Sequence, residues 1–103
     1  MLSKKFRLSR KQINLIHKKG RRFGVGGVGV KCLKNQLGYS RFAVNVPISV
    51  SKKATERNRI RRVVYDEIGK AKPTGDSDCL IGIYRKDDEA AIRQKIKKLC
   101  VNL

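Results

Sequence analysis

The run Lys52-Lys53-Ala54-Thr55-Glu56-Arg57-Asn58-Arg59-Ile60-Arg61-Arg62-Val63-Val64-Tyr65-Asp66-Glu67-Ile68 decides how the rest of the chain is read. Ile60, Val63, Val64 and Ile68 recur at i, i+3, i+4 and i+8, the spacing of one helical face. At 100° per residue, Asn58, Arg61, Arg62 and Tyr65 share the opposite, wet face. Arg57 lies one turn before Arg61, near the seam with the apolar stripe, and Arg59 points to the other flank, beside Asp66. A basic helix face is ordinarily a solvated one. Here Glu56, Asp66 and Glu67 are too few to offset Lys52, Lys53, Arg57, Arg59, Arg61 and Arg62. Such a face repels itself until an anion neutralises it, and planar guanidinium forks suit phosphates and base edges.

Outward from this helix the signals alternate. Downstream, Lys70 to Ser77, with Pro73 and Gly75, reads as a turn. Cys79-Leu80-Ile81-Gly82-Ile83 reads as an interior strand, and Asp87 or Asp88 caps a last helix with the stripe Ile92, Ile96, Leu99, Cys100 and Leu103. The central helix starts at Ser51 or Thr55 as N-cap and ends at Gly69.

Upstream, residues 41–50 alternate as a strand. Phe42, Val44, Val46, Ile48 and Val50 go to one side, and Arg41, Ala43, Asn45 and Ser49 to the other. Pro47 frays it or puts it at an edge. Lys34 to Gly38 reads as a hairpin connection, and Val28, Val30 and Cys32 mark another strand with one buried face. Residues 21–29, with Gly24, Gly26, Gly27 and Gly29, read as loop and strand entry; no GxxxxGK[ST] phosphate loop is present.

Residues 1–8 form a basic arm with Phe6. Ser9 and Gln12 make a capping box for a first helix, Leu8 and Ile13 its hydrophobic staple, and Gly20 its C′ residue. Leu15 and Ile16 face the core in this reading, with Ile13 and His17 on a second face. The strand–helix–strand unit from Arg41 to Ile83 implies a parallel pair inside a mixed sheet, and general rules favour a right-handed crossover.

One domain is expected from 103 residues, and 26 Lys and Arg against 8 Asp and Glu give a net charge of +18. Charge of that size points to nucleic acid. No apolar run reaches membrane-spanning length, which argues against an anionic membrane as partner. The three cysteines lack CxxC spacing, so buried thiols in a reducing cytoplasm are expected rather than disulfides or zinc. His17 is the only histidine, and no nucleophile–base set is readable. Catalysis by the protein alone is therefore not expected.

Ala54-Thr55-Glu56-Arg57-Asn58-Arg59-Ile60-Arg61-Arg62 closely resembles the RNR signature of the bacterial ribonuclease P protein subunit. Arg7-Leu8, the helix ending in Gly20, Arg41-Phe42-Ala43 and the Asp78-to-Ile83 strand extend the resemblance over nearly the whole chain. It implies a single α+β domain, residues 1–103, an α/β sandwich with a mixed four-stranded sheet in α-β-β-β-α-β-α order. The crossover would be left-handed, against the general rule, as in the second domain of ribosomal protein S5.

It also implies a cytoplasmic ribonuclease P holoenzyme in which a catalytic RNA removes the 5′ leader of precursor tRNA. Mg²⁺ would be bound by that RNA and the substrate phosphates, with no protein-bound cofactor and no protein oligomer. Arg57, Asn58, Arg59, Arg61, Arg62 and Tyr65 would contact the catalytic RNA. Lys52, Lys53, Ile13, His17, Lys31, Arg7 and Arg41 would serve the leader and its phosphates, in a cleft between the first helix and the sheet.

This chain departs from the family at that cleft. Ile13 and His17 replace two first-helix aromatics, and Lys31 replaces a sheet-face aromatic. Pro47-Ile48-Ser49 stands where the family has Ser-Lys-Lys, and Tyr65 where it often has Arg. The competing readings are a ribosome-associated structural RNA-binding protein and a nucleoid-type DNA binder. All of them predict salt-sensitive binding. If about six phosphates are met, log K against log salt should fall with a slope of roughly −4 to −5, measurable by titration at several ionic strengths.

Overall fold

The computed structural model describes residues 7–71 and 75–100. Phe6 of the basic arm, Pro73 of the turn and Leu103 of the last stripe lie outside them. The order is α1 (Arg10–Lys19), β1 (Arg21–Val25), β2 (Val28–Lys34), β3 (Arg41–Asn45), α2 (Ala54–Ala71), β4 (Ser77–Ile83) and α3 (Glu89–Cys100). This is the expected mixed α+β succession.

The capping box forms: the Ser9 backbone N–H donates to Gln12 Oε1 at 2.7 Å, and the Gln12 N–H donates to Ser9 Oγ at 3.4 Å. Gly20 ends α1 in an extended conformation, not the left-handed one expected of a C′ glycine. Its role is close approach. Its N–H donates to the Ile16 carbonyl at 2.7 Å, and a Cβ would stand 2.6 Å from that oxygen. The glycine-rich stretch is more ordered than its composition suggested. Residues 21–25 are a strand, joined to β2 by Gly26-Gly27, both at positive φ (+40° and +83°). A two-residue hairpin turn of the primed kind needs that backbone.

The sheet order is β1-β2-β4-β3. β4 runs antiparallel to β2 and parallel to β3. The Lys34-to-Gly38 segment is therefore not a hairpin connection, because β4 occupies the place between β2 and β3. Asn35 fastens that segment: its Nδ2 donates to Asp78 Oδ1 at 2.8 Å and to the Tyr39 carbonyl at 3.0 Å. β3 stops at Asn45 instead of running to Val50, as Pro47 cannot donate to a ladder. Val46 and Val50 are still buried, but Ile48 is 67% exposed.

α2 and α3 cover one face of the sheet. There Ile60, Val63, Val64, Ile68, Ile92, Ile96, Leu99 and Cys100 close on Val28, Val30, Phe42, Cys79, Ile81 and Ile83. α1 covers part of the other face, with Ile16 on Ala43 and Leu80 and with Leu8, Ile13 and Leu33 around them. Leu15, expected in the core, is 44% exposed, because the helix rests on its Ile16 side. α2 runs two residues past Gly69, where Lys70 pairs with Asp66 one turn back at 3.3 Å. Asp88 is the α3 cap, its Oδ1 accepting the Ala91 N–H at 2.7 Å.

Arg41 belongs to this architecture. Its Nε donates to Asp78 Oδ1 at 2.8 Å and its Nη2 to Asp78 Oδ2 at 2.7 Å, with Asp78 buried. The fork joins the first residue of β3 to its register partner on β4. Removing one member of a buried pair strands the other charge. Arg41→Ala is therefore expected to destabilise the fold by about 3 kcal/mol, read as a lower Tm in thermal unfolding.

Candidate nucleic-acid interface

The α2 entrance is held by a short network. Ser51 Oγ donates to Glu56 Oε2 at 3.1 Å and accepts the Lys53 N–H at 3.3 Å. Arg57 Nη1 donates to the Ser51 carbonyl at 2.8 Å. The helix starts at Ala54, so Thr55 lies inside its first turn and Ser51 braces the entrance from outside. Lys52 and Lys53 are exposed beside it.

Beyond the entrance the cations divide between two sides of α2. Asn58 Oδ1 accepts a hydrogen bond from Arg61 Nη1. Tyr65 is half-buried against β3, its hydroxyl bonded to the Val44 backbone, and burial raises its pKa. Arg7 and Arg61 are near enough to oppose that rise. Arg7, bridged to Phe42 on the β3 edge, thus joins the α2 surface. On the other side, Arg59 and Arg62 line an open groove toward α3 with Asp66, Glu89 and Arg93.

The acids are engaged elsewhere. Glu56 pairs with Lys86, Asp66 with Lys70 and Arg93, Glu67 and Glu89 with Arg93, Asp87 with Lys95, and Asp78 with Arg41. Among the described residues, no salt bridge reaches Lys52, Lys53, Arg57, Arg59, Arg61 or Arg62. Asp66, expected beside Arg59, has its carboxylate taken by Arg93 at 2.8 Å.

A second basic surface lies on the sheet face that α1 leaves open. A cavity of about 660 Å³ is lined by His17, Arg22, Phe23, Gly24, Gly29, Val30, Lys31, Leu80 and Tyr84. His17 and Lys31 meet there as expected. Ile13 instead packs with Ile16, Ala43 and Leu80 at the foot of α1. Phe23 and Val30 belong to the helix-covered core and offer the cavity their backbone. The aromatic of this cavity is Tyr84, 59% exposed, which sequence reasoning missed.

Gly24, Gly29 and Gly82 are register neighbours across three strands, forming a bare strip of sheet. The Tyr84 ring folds back over it: a Cβ on Gly82 would collide with the phenol, and one on Gly29 would meet Cε2 at 3.0 Å. The Tyr84 N–H donates to the Gly27 carbonyl at 2.7 Å, anchoring the ring's backbone to the β1–β2 turn. Two signals were available. Strand alternation continued past Ile83 puts residue 84 on the Leu80 face, and Gly82 interrupts an apolar run.

Comparison with known proteins agrees with this architecture. A family model described as Ribonuclease P matches residues 2–103. The chain is similar to an RNase P protein from Thermotoga maritima in complex with 1-(4-fluorophenyl)-2-thiourea, at 27% identity and TM-score 0.81, covering 91% of this chain and 95% of that one. It shares its fold with a Staphylococcus aureus RNase P protein mutant with defective mRNA degradation activity, at 18% identity and TM-score 0.85, covering 96% and 88%. No curated protein sequence matches it.

The two arginines bracketing the basic turn of α2 should behave differently as isolated-protein variants. Arg62→Ala should leave unfolding stability nearly unchanged, within about 0.5 kcal/mol. Arg57→Ala, which frees the Ser51 carbonyl, should cost about 1 kcal/mol. Chemical denaturation of both variants checks the contrast.

Proposed function

The chain belongs to the ribonuclease P protein family, and from that premise we propose that it is the RNA-binding subunit of a ribonuclease P holoenzyme. It assists a catalytic RNA in removing the 5′ leader from precursor tRNA. The observation that carries this reading is the set of α2 guanidiniums left, among the described residues, without carboxylate partners, while Glu56, Asp66, Glu67, Asp78, Asp87 and Glu89 pair with Lys86, Lys70, Arg93, Lys95 and Arg41. A surface of that kind is built for an external polyanion.

In this mechanism the RNA and the substrate phosphates would hold Mg²⁺, which would supply the hydrolytic chemistry, and a cytoplasmic setting goes with the role. The chain's own part is electrostatic and positional. Asn58, Arg59, Arg61 and Arg62 meet the catalytic RNA, with Arg57 bracing the helix entrance and offering its outer edge. Lys52 and Lys53 neutralise phosphates at the helix start, and Arg7 and Tyr65 extend the same surface toward β3. Neutralisation lowers the repulsion between two RNAs and so the Mg²⁺ needed to join them.

The leader lies along the open sheet face. Lys31, Arg22 and His17 approach its phosphates, while Tyr84 on the glycine strip gives a base a stacking surface. Tyr84 replaces in function the aromatics absent at Ile13, His17 and Lys31. Arg41, committed to Asp78, is withdrawn from the leader contacts.

Reconstitution with a bacterial ribonuclease P RNA should restore precursor-tRNA cleavage at low Mg²⁺. No stimulation at any salt, together with a pulldown dominated by ribosomal RNA, would point to a ribosome-associated protein instead. Tyr84→Ala should weaken binding of leader-bearing substrate by about 5- to 150-fold, as loss of one stacked base does at about 1–3 kcal/mol. It should spare affinity for the catalytic RNA, and substrates with and without leader separate the two effects.

A further inference from the structure

Cys32 and Cys79 are register partners on the antiparallel strands β2 and β4. Their sulfurs stand 2.7 Å apart. Directly opposed residues of antiparallel strands have Cα atoms about 4.5 or about 5.5 Å apart, and both values lie inside the span of roughly 4.4–6.8 Å that a disulfide tolerates. A covalent S–S bond is about 2.05 Å long, so the sulfurs need approach by well under an ångström, within reach of side-chain rotation. We propose that Cys32 and Cys79 form a peroxide-responsive dithiol that closes into a cross-strand disulfide.

Access and order of reaction follow from placement. Cys32 is half-buried on the rim of an open cavity of about 890 Å³, which Lys19, Arg21 and Lys34 also line. Cations of this kind favour thiolate, the reactive form. The hydrogen bond with Cys79 also holds the Cys32 thiol below its usual pKa, while the same contact and burial push Cys79 up. Cys79 is fully buried beneath it.

The Cys32 thiolate therefore attacks hydrogen peroxide first. Its sulfur gains one oxygen, the O–O bond breaks, and hydroxide leaves and takes a proton to become water. The Cys79 sulfur then attacks the Cys32 sulfenic acid. The S–S bond forms, the S–O bond breaks, and the departing hydroxide takes the Cys79 proton as a second water. Two thiols are oxidised and one peroxide is reduced.

Cys100, buried at the end of α3, lies near enough to Cys79 to influence it electrostatically and is the competing partner. Register opposition favours Cys32, because Cys100 comes from a helix and not from the paired strand. Both sulfurs of the pair belong to the helix-covered side of the sheet, away from the Lys31–Tyr84 surface. The dithiol thus stands independently of the RNA-binding reading.

The test uses the full-length reduced protein with hydrogen peroxide at neutral pH, quenched by alkylation and mapped by non-reducing peptide mass spectrometry. The expected result is a loss of two hydrogens per chain, a linked peptide pair holding Cys32 and Cys79, alkylated Cys100, and full reversal by dithiothreitol. The Cys100→Ser protein should give the same link. Four results would overturn the proposal: Cys32 recovered as sulfinic acid beside a free Cys79, a Cys79–Cys100 link, links between chains only, or folded protein that stays reduced while urea-unfolded protein oxidises.

Discussion

β4 hydrogen-bonds to β2 along one edge and to β3 along the other, and the rest of the molecule is arranged to make that double pairing possible. Among the described residues, β3 has no other strand partner except the short bridge at Arg7. A chain leaving β3 must cross the sheet before returning parallel to it, and α2 is that crossing. Its stripe of Ile60, Val63, Val64 and Ile68 is buried because the crossing lies flat on Val44, Val46 and Ile81. On its outer side Asn58, Arg59 and Arg62 are left exposed. The position of β4 therefore explains both the core and the exposed basic surface. The Arg41–Asp78 fork fixes the register at the point where the parallel pair begins.

Charge is sorted with the same economy. A carboxylate near the α2 guanidiniums would compete with any phosphate for them. Instead Arg93 gathers Asp66, Glu67 and Glu89 around one guanidinium. Glu67 is almost fully buried there, and among the described residues its Oε2 has no hydrogen-bond partner. Arg93 thus joins α2 to α3 beside the apolar contacts of the two helices. Cations paired with carboxylates, such as Arg41 and Arg93, are thus set apart from Arg59, Arg61 and Arg62, for which the described residues hold no salt bridge, although composition lists them alike.

Much of this was legible in the chain. Helical spacing placed the α2 stripe, and the Ser9–Gln12 capping box and the Leu8–Ile13 staple located α1. What the sequence hid was strand order, because insertion of β4 between β2 and β3 is a long-range fact with no local signature. β1 was hidden by Gly24, whose low strand propensity is offset by pairing with Gly29 of β2, and by the turn glycines Gly26 and Gly27 beside it. The cleft was legible only in part. His17 and Lys31 line one cavity, while Arg41, read from the resemblance as a leader contact, pairs with Asp78, 37 residues away and without a local signal. Tyr84 was missed since its meaning depends on two glycines from different strands. Resemblance marked the cleft as one without the family's aromatics at Ile13, His17 and Lys31, and the structure puts Tyr84 on the same open sheet face.

The late arrival of β4 has a consequence for biogenesis. While the polypeptide is still emerging from the ribosome, the β1–β2 hairpin can close on its own, since its contacts are local. β3 and α2 cannot settle, because the strand they need has not been made. Their apolar residues stay uncovered and their guanidiniums unshielded, close to a surface of ribosomal RNA. Contacts between residues distant along the chain form slowly, so the nascent molecule is a sticky polycation until its last quarter, from Ser77 on, is translated. A cell making this protein gains from rapid synthesis of residues 77–100 and from an early encounter with the intended RNA.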